Sequence, residues 1–290
     1  MLAPASLMTR GTDISPLSQL LSRVDAITDG HSTVDSVVTG FPSLDKILGG
    51  GLRRGDLTVI GGDVGSGKSA LALAVALRAA QEGAESLFLS GEMTVERVLE
   101  RILAIEARVR VDELRTGSLS DASRVEAGAT ALRLRDQLPR IDRLPTTGIA
   151  GIRALVPAEA PIALLVVDGI QELASGTRAR DEEIAAAVLG LKTLALDWNI
   201  AILATAQLPL LESRPDQRPM LDDFGVLGAV KHHADVVLGL FREGMYNPSR
   251  EIEGATELIV GKNRHGGTGY IDLYFYAQWM RFEDMLDPDR

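Results

Sequence analysis

The chain has no cysteine among its 290 residues, which excludes disulfides and thiolate metal sites and fits a reducing cytoplasm as its compartment. Aromatic residues are scarce at 4%, so the core must be built mostly from Leu, Val, Ile and Ala. With hydrophobic residues at 46% and charged ones at 24%, the composition argues against disorder. No run approaches the roughly 18–20 apolar residues needed to cross a bilayer, and MLAPASLMTRG lacks the long apolar core of a signal peptide, so no membrane partner is expected. Positive charge is also short. Thirty Lys and Arg against forty Asp and Glu leave a formal charge of −10, so a bound nucleic acid would need a local basic lining against a repelling overall field. No internal repeat or low-complexity tract is present, which removes solenoid architectures. The length allows one large α/β domain or two small ones, and one domain with a short leader is the expectation.

What is present centres on DLTVIGGDVGSGKSALALAVALRAA, Asp56 to Ala80. A β-branched run, Leu57 to Ile60, turns through glycines into an Ala- and Leu-rich segment free of Gly and Pro, the pattern of strand, loop and helix. Gly62 to Ser69 fits the phosphate-loop pattern G-x-x-x-x-G-K-[ST], with Gly62, Gly67, Lys68 and Ser69 at the fixed positions and Gly65 in addition. The stretch Gly62, Asp63, Val64, Gly65, Ser66, Gly67, Lys68, Ser69 and Ala70 is therefore the candidate nucleotide cradle. Backbone N–H groups must wrap a polyphosphate, and side chains would block that approach. Lys68 reaches the β- and γ-phosphates, and the Ser69 hydroxyl is a ligand for Mg²⁺. A glycine-rich turn that happens to contain Lys-Ser is the plain alternative, against which stand the strand before it and the helix after it.

Elsewhere the chain alternates strand and helix. Ser15 as N-cap, Pro16 at the first helical position and Gly30 as the stop frame a helix whose Leu17, Leu20, Leu21, Val24 and Ile27 form one apolar stripe. That stripe lies either on this chain's own core or on a neighbouring subunit. Thr39 to Asp56 is rich in glycine turns. Glu85 to Leu89 reads as a second strand with Ser90 to Met93 at its carboxyl end. A helix follows from Thr94 with Val95, Leu99, Ile102 and Leu103 on one face. Helix is expected between about Ser120 and Gln137, loop from Thr146 to Gly151, and a short helix ending at Pro157. Ala163 to Asp168 and Asn199 to Leu208 read as buried strands on either side of an amphipathic helix, Asp181 to Trp198. Pro209 to Pro219 is loop, Leu227 to His233 reads as helix, and Asp235–Phe241, Thr256–Gly261 and Gly269–Phe275 read as further strands. The order predicts an α/β fold, a mainly parallel twisted sheet with helices on both faces.

Polar groups stand at the ends of the buried strands: Lys68 with Ser69, Glu92, Asp168 and Gln207. In open parallel sheets ligands collect there. An aspartate after an apolar strand positions Mg²⁺, a glutamate polarises the attacking water, and a glutamine senses the γ-phosphate. Taken singly, Asp168 or Glu92 would serve equally as a helix cap and Gln207 as a satisfied strand end. Together with the phosphate loop they make a nucleotide-hydrolysis site.

The blocks TGFPSLDKILGGGL, SLFLSGEMTVERVLERILAIEARV, ELRTG, LLVVDGIQEL, ATAQL, HADVVLGLFRE, MYNP and IVGKNRHGGTG, in this order from about Thr39 to Phe282, resemble the RecA-like motor domain of DnaB-type replicative DNA helicases. The resemblance implies a lead-in with a linker-type helix over 1–38 and a RecA-like P-loop ATPase domain over 39–290. It implies Glu92 as catalytic glutamate, Asp168 with Ser69 at the Mg²⁺, Gln207 as the γ-phosphate switch, and Lys262 with Arg264 as a basic pair reaching into the ATP site of the adjacent subunit. ATP and Mg²⁺ are the implied cofactors. The implied partners are further copies in a hexameric ring, single-stranded DNA, and a replication or recombination protein. Two solvated charges at a hairpin turn are the alternative for Lys262 and Arg264.

Departures from the family pattern are specific. Only some 38 residues precede the match, where DnaB-type helicases carry a helical N-terminal domain. The DNA-facing loop of the family reads DLRESG, whereas the aligned residues here are Asp223, Phe224, Gly225, Val226, Leu227 and Gly228, without the arginine and glutamate. Pro209 and Leu210 replace the usual Asn-Arg, and Gly169 replaces a tyrosine after Asp168. Backbone N–H groups could still follow a strand, with a lower salt slope and affinity. A nucleotide-gated oligomeric switch, similar to RadA- or KaiC-type relatives, or an ATPase subunit that regulates a helicase, is the competing expectation. The histidines, His31, His232, His233 and His265, read as solvent or packing residues, since adjacent helical residues point about 100° apart.

Overall fold

The computed structural model describes residues 16–28, 35–156, 162–174, 176, 179–209, 214–247 and 252–285. The chain divides into two units, Met1–Asp35 and Ser36–Arg290. In the first, α1 (Pro16–Thr28) presents Leu17, Leu20, Leu21 and Val24 as exposed side chains. Ser15, Gly30 and His31 lie outside the described residues, as do Pro157, Leu210 and the side chain of Ile27.

The second unit opens with β1 (Ser36–Val37), α2 (Pro42–Leu48) and β2 (Leu52–Arg53), β1 and β2 pairing as a separate small ribbon. The glycine-rich reading of this stretch missed α2, which Pro42 opens and Gly49 closes in the left-handed region. Then come β3 (Leu57–Gly62), α3 (Lys68–Gln81), β4 (Ser86–Ser90), α4 (Val95–Ala107), α5 (Val111–Thr116), α6 (Asp121–Leu134), β5 (Arg140–Arg143), α7 (Gly148–Leu155), β6 (Leu164–Asp168), α8 (Arg180–Trp198) and β7 (Ala201–Gln207). The chain ends through α9 (Ala229–His233), β8 (Val236–Phe241), α10 (Glu243–Tyr246), β9 (Ala255–Asn263), β10 (Gly269–Tyr276) and β11 (Arg281–Asp284). Among the described residues no helix is long and apolar enough to cross a membrane.

Nine strands form one sheet in the order β11-β10-β9-β8-β3-β7-β6-β4-β5. The six from β8 to β5 are parallel and the last three in sequence run antiparallel, giving the expected α/β sheet. Because side chains alternate across a strand, Ile60, Phe88, Val166 and Leu203 pack on one face with α3, while Val59, Leu87, Val167 and Ile202 pack on the other with α8. Every residue from Ala70 to Leu77 is buried, so α3 is a central helix without a polar face.

Several local expectations are corrected. Val98, Ile102 and Ile105 form the buried face of α4, whereas Val95 and Leu99 are exposed. Thr94 caps that helix as expected, its hydroxyl accepting from Arg97 N. Helix α7 begins at Gly148, inside the stretch read as loop, and β5, α5 and β11 were not anticipated. Leu227 has φ of 55°, so the helix expected from Leu227 starts instead at Ala229.

Candidate active site

Strand register sets the carboxyl ends side by side. Gly62 lies opposite Gln207 in the pairing of β3 with β7, and Ser90 opposite Asp168 in that of β4 with β6. The loops leaving these strands surround a cavity of about 380 Å³ whose lining includes Val64, Gly65, Gly67, Lys68, Ser69, Ala70, Glu92, Asp168 and Gln207. Five groups drawn from four separate sequence blocks therefore converge on one space.

The phosphate loop turns through Gly65 at φ 78° and Gly67 at φ 103°, conformations an L-residue adopts only with strain. A Cβ on Gly67 would also stand 2.8 Å from Phe282 Cζ. Helix α3 starts there with no side-chain cap and no acidic residue in its first turn, so its first N–H groups and the positive end of its dipole are left for an anion. Asp63 shapes the loop from inside. Its Oδ1 accepts from Val64 N at 2.6 Å, its Oδ2 from the Tyr246 hydroxyl at 3.1 Å, and its carbonyl from Lys68 Nζ at 2.8 Å. Burial holds the Lys68 ammonium below its ordinary value, against the pull of Asp168, Asp63 and Glu92. An under-solvated cation beside open N–H donors favours a polyanion. The Ser66 hydroxyl is buried and has no hydrogen-bond partner among the described residues.

Asp168 is 4% exposed, and its Oδ1 accepts from Ser69 Oγ at 2.9 Å and Thr205 Oγ1 at 2.7 Å. Ser69 and Asp168 thus offer only oxygen donors, the set a hard divalent cation takes. Glu92 faces the cavity and makes no hydrogen bond among the described residues. Gln207 is exposed, and its backbone is clasped by the Gln171 amide, which donates from Nε2 to Gln207 O at 3.1 Å and accepts from Gln207 N at 3.3 Å. Arg101 of α4 and Arg180 of α8 also line the cavity. Burial lowers Arg101 against the attraction of Asp168 and Glu92. Sequence reasoning missed Arg101, Arg180, Gln171, Thr205 and Tyr246. No motif spacing marks them, although all but Arg180 stand inside blocks quoted above.

Lys262 and Arg264 do not line this cavity. Lys262 Nζ donates to Lys231 O at 2.8 Å and Ala234 O at 2.6 Å, at the carboxyl end of α9. Arg264 lies against Asp235, whose backbone N donates to Leu57 O at 2.8 Å, so both sit at the amino end of β3, about 17 Å along the strand from the loop at roughly 3.3 Å per residue.

The model of the family described as "DnaB-like helicase C terminal domain" matches residues 36–284. The chain belongs to this family. It is 27% identical to the replicative DNA helicase DnaB of Geobacillus stearothermophilus over 277 residues, covering 93% of this chain and 61% of that protein. With the DnaB of Pasteurella multocida (strain Pm70) it shares 30% identity over 283 residues, 93% of this chain and 60% of that protein. The chain thus spans about three fifths of the length of these relatives. The solved ATPase domain of G40P superimposes with a TM-score of 0.84 at 21% identity, over 94% of this chain and 99% of that one, which establishes the RecA-like fold.

In the segment Asp223 to Gly228, Asp223 receives a two-pronged bond from Arg214, Nη1 to Oδ1 and Nη2 to Oδ2, each at 2.7 Å. Phe224 is buried over Gly61, where a Cβ would stand 2.4 Å from its ring. Gly225, Val226, Leu227 and Gly228 all take positive φ, and the Leu227 side chain is 71% exposed. For β-branched Val226 such a φ is strained, and strain of this kind collects at functional loops.

Proposed function

We propose that this chain is the ATP-hydrolysing motor of a DnaB-type helicase, acting on DNA as a ring, with a hexamer as the assembly. One observation carries the reading: Lys68, Ser69, Glu92, Asp168 and Gln207 surround one cavity while Arg264 stands outside it. A site with cradle, acid and sensor but without its basic pair is completed by a second copy.

The phosphate loop and the open start of α3 would bind the polyphosphate, and Lys68 would meet its terminal charge. Ser69 and Asp168 would hold Mg²⁺, which when bound neutralises charge on the phosphate oxygens. Glu92 would accept a proton from the attacking water, and Gln207 would register the γ-phosphate at the end of β7. Arg264 of a neighbour would stabilise transition-state charge, an effect worth about 10³–10⁵ in rate for cations supplied in this way. The exposed stripe of α1 fits the contact between copies that a linker-type helix would make.

Turnover of ATP with and without a single-stranded oligonucleotide, at low and moderate salt, tests the reading. A motor is expected to show a several-fold stimulation by DNA, and Lys68→Ala to lose turnover and every nucleotide-dependent change. The uncharged Val226 and Leu227 favour a second reading, a nucleotide-gated switch that does not travel on DNA. If DNA alters neither rate nor assembly, the motor fails and the switch replaces it.

A further inference from the structure

Two carboxylates are buried side by side at the amino ends of neighbouring strands. Asp56 precedes β3 and Asp235 precedes β8, with 8% and 1% exposure. Like charges out of water are held only where cations meet them. Lys192 of α8 supplies the fixed one, its Nζ 2.6 Å from Asp235 Oδ2, 3.6 Å from Asp56 Oδ1 and 2.7 Å from Gly55 O. His265 Nε2 lies 3.1 Å from Asp56 Oδ2. The spacing of Asp56, Asp235 and His265 would suit a metal ion, but the Lys192 ammonium already bridges the two carboxylates.

Arg264 is a further cation at this corner, with Lys262 nearby, and its geometry is one-sided. Its Nε stands 3.1 Å from Asp235 Oδ1, and its Nη2 reaches the His232 carbonyl only at 3.5 Å. Nη1 has no partner among the described residues, and the side chain is 47% exposed. Asp235 Oδ1 accepts no hydrogen bond among the described residues, so the pair is ionic, and a guanidinium held by charge on its Nε side keeps the planar outer fork for a phosphate. The carboxylate itself is fixed, because Asp235 Oδ2 accepts from Leu57 N at 2.9 Å and from Lys192.

We infer that Asp235 is a positioning residue for ATP hydrolysis: its buried carboxylate holds Arg264 by charge on the Nε side and leaves the outer nitrogens for the nucleotide of a second copy. The inference rests on the proposed role of Arg264 between subunits. Lys262, engaged with two carbonyls, braces the same corner.

Asp235→Asn keeps an oxygen for Leu57 N and removes the charge that holds Arg264. With assembled protein, kcat is expected to fall about 10- to 100-fold, as for a misplaced catalytic group, while KM for ATP stays within about twofold. Combined with Arg264→Ala, it should add nothing to the loss caused by Arg264→Ala alone. Independent, multiplying losses, or a raised KM, would overturn the proposal. Full activity of Arg264→Ala by itself would instead bring down the underlying reading of Arg264, a separate result. If Asp235→Asn does not fold, Arg264→Lys decides at an exposed position. Lysine lacks Nε, so its ammonium should settle on Asp235 and kcat should drop to the level of Arg264→Ala. Retention of more than about half the wild-type rate would refute the positioning role.

Discussion

Asp168 Oδ1 is shared by two hydroxyls, Ser69 Oγ and Thr205 Oγ1, and a buried carboxylate that loses a donor bears the desolvation cost of the vacancy. Thr205→Val replaces the hydroxyl by a methyl of similar shape. It should cost about 1–3 kcal/mol in urea unfolding and lower the ATPase rate, because Asp168 is then held from one side only. Unchanged values of both would mean that Ser69 alone fixes the carboxylate. Lys68, Ser69 and Asp168 were readable because fixed spacing or a strand end marks them. Thr205 and Arg101 were not, since each reaches the cavity only after β7 and α4 have been placed by the sheet order.

Elements with long apolar runs, β3, β6, β7 and β8, were legible because full burial demands uninterrupted hydrophobicity. The overlooked pieces have other supports. Strand β5, Arg140–Arg143, is polar and lies at the sheet edge, and α2 is held by contacts distant in sequence: Ser43 N donates to Asp284 Oδ2 at 2.7 Å. Within α2, Asp45 Oδ1 accepts from Thr39 N at 2.8 Å, yet burial, aided by Asp284, pushes its carboxyl above the ordinary 3.8. The folded state therefore binds that proton more tightly than the unfolded chain. Its stabilising effect is complete below about 3.8 and is lost as pH rises through the raised value. Asp45→Asn keeps an acceptor for Thr39 N without the charge. The melting temperature of the variant relative to wild type should rise from about pH 3.8 through the raised value and then level off. A difference independent of pH would show that burial does not govern Asp45.

At the scale of the whole molecule, the order of blocks identified the family, but the placement of Arg264 needed the fold. The hairpin that carries it closes over the amino ends of β3 and β8, which no local pattern indicates. The chain carries a formal charge of −10 and no cation at Val226 or Leu227, and in the proposed ring a neighbour's Arg264 would add to the Lys68, Arg101 and Arg180 that line the cavity. If the site is shared, defects on opposite sides of the seam must complement. Arg264→Ala subunits contribute an intact Glu92, and Glu92→Gln subunits contribute an intact Arg264. Random mixing in equal amounts restores both groups at about a quarter of the interfaces of a closed ring, where each cradle faces the next copy's hairpin. Activity should reappear on mixing two nearly inactive preparations, and diluting the mixture below the assembly concentration should abolish it. Intact assemblies that stay inactive at every mixing ratio would place Arg264 in the service of its own subunit.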